Sequence, residues 1–464
     1  MSELALHAAR QLWLDCGFDA LPLHRLELPG TEAALPSSFA IAAAAQASIG
    51  ACGLAAAEFF SLRGGEPQTV SVDARHAAVE FRSEHYLRVG GGLPADPWDK
   101  IAGIYRCRDD RWVRIHTNFP HHCQGVLDLL ACKYDKATVA EALARWDAYE
   151  FEDAAAKRGL VATALRSFDE WDAHPQGIAV TAQPVISITR IGDAPPRALG
   201  GAERPLQGIR ALDLTRIIAG PVAGRALAAH GADVLHITSP HLPTIPTLDI
   251  DMGRGKRNAQ LDLTQETGRS ALRGLLADSH VFIQGYRPGG LAGLGFSPED
   301  AAHLRPGIVY VSLCAYGHTG PWAGRRGFDS LTQTASGFNL AEAQAAGSDT
   351  PRAFPGQALD HGAAYLAALG AIAALHRQQR EGGSWHVQVS LAKTGHWLRG
   401  LGRVDGAMGL PLPTLDDVRP WLEESESGFG RLLAVRHAAQ MERTPARWEH
   451  PAMPLDSHAP AWTG

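Results

Sequence analysis

The run Ile209-Arg-Ala-Leu-Asp-Leu-Thr-Arg-Ile-Ile-Ala-Gly-Pro-Val-Ala-Gly-Arg-Ala-Leu-Ala-Ala-His-Gly-Ala-Asp-Val-Leu-His-Ile237 decides the architecture. Ile209 to Leu214 is a short apolar run, Pro221 to His230 has helical spacing with proline at a permitted first-turn position, and Asp233 to Ile237 is apolar again. Strand, helix and strand in this order predict a parallel pair joined by a right-handed crossover. Further elements follow: a helix from Gly268 to Leu276, a strand from Val281 to Gln284 and a strand from Ile308 to Leu313. The fold class is therefore α/β, with a Rossmann-like doubly wound parallel sheet over residues 206–400. The first strand does not run into G-x-G-x-x-G, which disfavours a dinucleotide oxidoreductase, but the carboxyl ends of its strands are still the expected ligand site.

Working outward, 464 residues at roughly 150 per domain predict two or three domains. A 45% hydrophobic content supplies each with a core. Lys and Arg number 43 against 49 Asp and Glu, a formal charge of −6, so no global field attracts nucleic acid or an anionic membrane, and an anion site must be local. The six cysteines (Cys16, Cys52, Cys107, Cys123, Cys132, Cys314) form no C-x-x-C pair, the histidines have no metal-ligand spacing, and no metal is expected. The opening residues lack the features of a secretory signal, so the expected compartment is the cytoplasm. Phe39 to Ala57 is uncharged and long enough to span a bilayer, but it is mostly Ala, Gly, Ser and Gln, which favours a helix buried in protein.

A pattern occurs twice. An Ala-rich helix, a Gly-Gly turn and an alternating strand occupy 39–73, with Gly64-Gly65, and 362–391, with Gly382-Gly383. Between the copies, short alternating runs around Asp109-Asp110 predict a hairpin. Helical patterns follow at Gln124 to Ala131, Lys136 to Ala144 and Glu150 to Arg158. The expected organisation is a repeat at 1–93, a small α/β domain at 94–190, a Pro/Gly-rich linker at 191–205, the Rossmann-like domain at 206–400 and an extended tail at 401–464.

Several segments carry a resemblance: L-D-L-T-R-I-I-A-G-P from Leu212, R-G-K-R-N-A-Q-L-D-L from Arg254, R-P-G-G-L-A-G-L-G from Arg287, Y-G-H-T-G-P from Tyr316, G-F-D-S-L-T-Q from Gly327 and A-L-D-H-G-A-A-Y from Ala358. Over residues 206–394 this series resembles the class III coenzyme A transferases, the family of formyl-CoA and carnitine CoA-transferases. D-P-W-D-K-I-A-G-I-Y from Asp96 resembles the start of that family's small domain, which normally follows the Rossmann-like part, so the order here looks permuted or cut from a tandem duplication. The resemblance implies an enzyme that moves coenzyme A from an acyl-CoA to a small carboxylic acid, with no permanently bound cofactor. It also implies a homodimer, in the family an interlocked one.

The chemistry needs a nucleophile that holds first the acyl group and then the coenzyme, which a carboxylate does through an anhydride and a thioester. The resemblance puts Asp360 in this role, at the start of an Ala-rich helix whose amides and dipole favour the ionised form; without the family, Asp360 reads as an N-cap. It makes Asp329 a supporting acid, and Ala219, Arg254, Lys256, Arg257 and Tyr286 contacts of the coenzyme, with Lys256 the closest match in a basic turn. Gly90-Gly91-Gly92 corresponds to a lid or, read plainly, to a linker. Abundant Trp, Arg and His point to an anionic substrate.

Two alternatives stay open. One is α-methylacyl-CoA racemisation, although Phe328 occupies the position where the family's racemases have a proton-transferring His. The other is a coenzyme A-binding subunit without turnover.

Overall fold

A computed structural model describes residues 2–31 and 33–463. The amino-terminal segment contributes three short strands, β1 (Leu26–Glu27), β2 (Val70–Val72) and β3 (Arg88–Val89), and the long helix Ile41–Leu62. The next segment forms β4 (Gly103–Arg106), β5 (Trp112–Ile115) and β6 (Ala162–Ala164), an antiparallel sheet of order β4-β5-β6. Its hairpin turns at Asp110, which has φ 60°. Helices Pro120–Leu130, Lys136–Leu143 and Ala148–Lys157 cover the sheet and close a separate core around Val113, Val126, Leu143 and Phe151.

The main sheet has seven strands: β7 (Ser187–Gly192), β8 (Arg210–Leu214), β9 (Asp233–Thr238), β10 (Lys256–Gln260), β11 (Val281–Gln284), β12 (Val309–Cys314) and β13 (Ser384–Ser390). Their order is β10-β9-β8-β11-β12-β13-β7. The six strands from β8 onward are parallel and follow the 3-2-1-4-5-6 order of a doubly wound Rossmann-like sheet, with β7 antiparallel at the edge. The order reverses between β8 and β11, and the carboxyl ends of these two strands diverge to open a crevice.

β10 was not expected from the sequence. Residues 254–260 read as a basic turn because their charged side chains hide the strand pattern. In the structure Lys256 and Arg257 pair in register with Val234 and Leu235 of β9.

The two repeated helices, Ile41–Leu62 and Ala358–Glu381, pack against each other. Each is long and apolar enough to cross a membrane, but 94% and 100% of their apolar stretches are buried within the protein. Ala-rich faces permit this close approach, and one continuous core extends from the amino-terminal segment into the Rossmann-like half. At the end of the second helix the chain reverses into β13 through Gly382 (φ +74°) and Gly383 (φ +84°), a conformation side chains rarely adopt.

The segment after Gly400 contains three strands that the sequence pattern did not reveal: β14 (Leu422–Ser425), β15 (Leu432–Val435) and β16 (Ala439–Met441). β15 pairs with β3 and β16 with β2, so the carboxy-terminal segment is hydrogen-bonded to the amino-terminal one.

Candidate active site

Asp360 is the third residue of the Ala358–Glu381 helix and 6% exposed; Gln357 holds the cap position. Asp360 therefore does not cap its own helix. Capping comes from a neighbouring element. The backbone N–H of Asp360 donates to Oδ2 of Asp329 at 2.9 Å, while Nε2 of Gln333 donates to Oδ1 of Asp329 at 2.5 Å. Asp329 itself opens the Asp329–Ala335 helix and is 1% exposed. It satisfies an otherwise orphaned amide at the start of the Asp360 helix and ties the two helix starts together.

The structure corrects the expectation that the helix start keeps Asp360 ionised. Burial, then the charges of Asp329 and Glu84, hold the Asp360 carboxyl well above the usual carboxylate range. Burial also pushes Asp329 up to about 6, against the lowering effect of its hydrogen bonds. The proton on Asp360 is therefore held more tightly than on a free carboxyl, and no side-chain hydrogen bond holds the carboxyl among the described residues.

Asp360 faces a cavity of about 510 Å³ whose wall includes Trp98, His116, Ile217, Ile218, Ile245, Leu248 and Phe328. Glu84 stands at its edge, and its Oε2 lies 3.1 Å from Nε2 of His361. Burial opposes ionisation of Glu84, but His361 outweighs it and holds the carboxyl below the usual range. Phe328 stacks on His116 with centroids 4.0 Å apart. Burial drives His116 down to about 3, so its ring is neutral.

A second cleft, about 1030 Å³, opens at the β8/β11 switch point and shares Ile217 and Phe328 with the first. Thr215, Gly285 and Tyr286 line it, together with Arg216, Arg287, Arg325 and Arg326. Arg325 is 3.1 Å from Asp153, whereas Arg216, Arg287 and Arg326 have no carboxylate partner among the described residues. Sequence reasoning missed these cations. The signal was present in Arg325-Arg326, directly before Gly327-Phe328-Asp329, and in Arg287, next to the recognised Tyr286.

Ile217 joins the two clefts and has φ 75°. A β-branched residue there is a backbone outlier, a form of strain that clusters at functional sites.

The basic residues named from the sequence occupy other places. Nζ of Lys256 is 2.7 Å from Oδ2 of Asp213, and both side chains are fully buried. Gly224 is required beside this pair, since a Cβ there would lie 2.4 Å from Asp213 and 3.1 Å from the Lys256 ammonium. Arg254 shares Asp251 with Arg225, at 2.8 and 2.9 Å, and Arg257 is 3.0 Å from Asp233. The three do not form an open cation cluster: each charge is already neutralised inside the fold, and the unpaired cations lie in the β8/β11 cleft.

Tyr286 lines that cleft as expected, half-buried. Ala219 starts the Ala219–Ala229 helix and is buried, and the residues of its loop that face the clefts are Thr215 to Ile218. Gly90, Gly91 and Gly92 form an exposed tight turn after β3, with positive φ at the first two. The same chain segment continues to Pro97 and Trp98 at the wall of the Asp360 cavity.

These features define an α/β protein with a doubly wound parallel sheet, a cleft lined by four arginines at the switch point and an adjoining, largely apolar cavity that Asp360 lines. Residues 206–404 match the model of CoA-transferase family III. The acetyl-coenzyme A transferase nodX of Hypoxylon pulicicidum is 34% identical over 218 residues, 45% of this chain and 36% of that protein. An acyl-CoA transferase of Gibberella moniliformis is 28% identical over 404 residues, 76% of this chain and 69% of that one. The succinyl-CoA:glutarate CoA-transferase of Mus musculus is 32% identical over 201 residues, 40% and 45% of the two chains. Among solved structures, Rv3272 from M. tuberculosis is 30% identical, with a TM-score of 0.40 over 42% of this chain and 57% of that one. The chain spans between 36% and 69% of the length of these curated relatives.

Proposed function

We propose that this protein transfers coenzyme A from an acyl-CoA to a free carboxylic acid, with Asp360 as the covalent carrier. The observation that carries the reading is the Asp360 carboxyl itself: buried, without a side-chain hydrogen bond, lining a cavity that shares Ile217 and Phe328 with a cationic cleft. Coenzyme A is an anionic substrate, and Arg216, Arg287 and Arg326 supply the local charge that the net-acidic chain lacks elsewhere. Tyr286 offers a ring to the adenine. The thioester end then passes Ile217 and Phe328 to reach Asp360.

In the first step a carboxyl oxygen of Asp360 attacks the thioester carbonyl, the C–S bond breaks, and a mixed anhydride forms. The proton that the buried carboxyl holds goes to the departing thiolate, so no charge is stranded. The thiol then attacks the aspartyl carbonyl, giving an aspartyl thioester and releasing the donor acid, and the acceptor acid reverses the sequence. Asp329 fixes the start of the Asp360 helix and is a positioning residue, since its oxygens are occupied by Asp360 and Gln333. The cavity walls limit water, which would hydrolyse both intermediates, and the Gly90–Gly92 turn lies on the segment suited to act as a lid. The same reading makes the enzyme a cytoplasmic homodimer, and the six unpaired cysteines fit a reducing compartment.

No observation favours racemisation: Phe328 cannot move a proton, and the His361 ring is fully buried against Glu84.

Incubation with an acyl-CoA, followed by hydroxylamine trapping and peptide mass spectrometry, is expected to label Asp360 in the wild type and not in Asp360→Ala. Coenzyme A binding without any adduct would instead support a subunit that does not turn over.

A further inference from the structure

The cavity next to Asp360 differs in character from the cleft that leads to it. The cleft contains four arginines; the cavity wall contains no Lys or Arg. Ile217, Ile218, Ile245 and Leu248 form one side, Phe328 and Trp98 another. Asn118, Ser330 and Gln357 add neutral polar groups, and the ionisable groups that complete the wall are two carboxyls and two histidines. Glu84 is held ionised by His361, and Asp360 rests above Asp329. Of the two wall histidines His116 is neutral, as described, and His85, whose side chain is 43% exposed and 3.7 Å from Glu84, is lowered below the usual imidazole range by desolvation against the raising effect of Glu84. Outside the wall, Arg82 lies over the Tyr86 ring and Nε of Arg114 donates to Thr334.

We infer that this site takes acyl groups with an apolar aliphatic or aromatic body and a single carboxyl function, and rejects dicarboxylates. The inference rests on the CoA-transferase reading above and narrows it. The neutral donors Asn118, Ser330 and Gln357 offer a distal group hydrogen bonds but no compensating charge. A distal carboxylate would lose its water, find no cation, and meet Glu84. An apolar chain of similar length instead buries its surface against Ile218, Ile245 and Leu248. This replaces the expectation of an anionic substrate, because the Arg and His content that prompted it is sorted between two compartments: the unpaired arginines face the coenzyme, and both histidines beside Asp360 are lowered below their usual range.

The test measures the rate at which Asp360 acquires an adduct, by intact-protein mass spectrometry after rapid mixing with butyryl-CoA, benzoyl-CoA or succinyl-CoA at equal concentration. Labelling from butyryl-CoA or benzoyl-CoA is expected to be at least tenfold faster than from succinyl-CoA. In Leu248→Arg, which places a cation in the wall, the ratio is expected to move toward succinyl-CoA. Trp98→Ala, at a position 42% exposed, is expected to raise labelling by benzoyl-CoA relative to butyryl-CoA. Equal or faster labelling by succinyl-CoA in the wild type overturns the inference while leaving the transferase reading intact. Absence of an Asp360 adduct from all three thioesters overturns the transferase reading and the inference with it.

Discussion

The amide of Asp360 donates to the carboxylate of Asp329 at 2.9 Å, so a side chain from one helix start caps the helix that begins with the reactive acid. The link joins the Gly327-Phe328-Asp329 segment to Asp360 and sets the height of the carboxyl above the cavity. Asp329→Asn keeps the size but turns an amide donor toward groups that already donate. We expect kcat to fall by on the order of 100-fold, as small displacements of a reacting group do, with little change in coenzyme A affinity. Steady-state kinetics with an isothermal binding titration check this.

Asp360 is held well above the usual carboxylate range, which has a consequence for stability. The folded state binds this proton more tightly than the unfolded chain, so the stability it contributes is present at low pH and lost as pH rises through the folded pKa. Asp360→Asn removes the titration. The variant is expected to show no adduct and to be more stable than the wild type at pH 7–8, with the difference shrinking toward pH 4. Urea unfolding across that range reads it directly.

Ile217 occupies a conformation that strains a β-branched residue by roughly 1–3 kcal/mol. Ile217→Gly relieves the strain but loses a half-buried side chain at the junction of the clefts, so the net change in stability is expected to be under about 1 kcal/mol. The KM for acyl-CoA is expected to rise. A strongly stabilised variant with unchanged KM would show that the strain has no part in binding.

Lys256 and Asp213 neutralise each other in full burial. Lys256→Met leaves Asp213 uncompensated and is expected to cost about 3–5 kcal/mol in denaturant unfolding, most of it regained in the double variant with Asp213→Leu. A structural role predicts this loss of stability in place of a specific loss of coenzyme A binding.

Arg287 is exposed in the switch-point cleft without a carboxylate partner. Arg287→Ala is expected to leave the melting temperature unchanged and to raise the KM for coenzyme A about tenfold at low ionic strength, with a weaker salt dependence than the wild type. An effect on stability alone would remove it from the binding site.

The parallel sheet was legible because β8, β9, β11 and β12 are apolar runs separated by amphipathic helices, a pattern that a doubly wound sheet buried on both faces imposes. β10 escaped because Lys256 and Arg257 interrupt its run, and their burial depends on Asp213 and Asp233, which come from other strands. β15 and β16 escaped because strands of three or four residues that pair with segments more than 300 positions away carry no local signal, and β14 is a four-residue strand whose only partner among the described residues is β15.

By itself the sequence determined the α/β class and the repeated helix-turn-strand unit, because periodicity is a property of the chain, while Asp360 and Asp329 were singled out by the family resemblance of their motifs. Only the tertiary structure decided the burial of Asp360, the allocation of the cations and the largely apolar wall of the cavity beside it. A charge acquires its chemical role from what it is buried against. Arg254, Lys256 and Arg257 found carboxylates within the fold, whereas Arg216, Arg287 and Arg326 were left facing an open cleft without them.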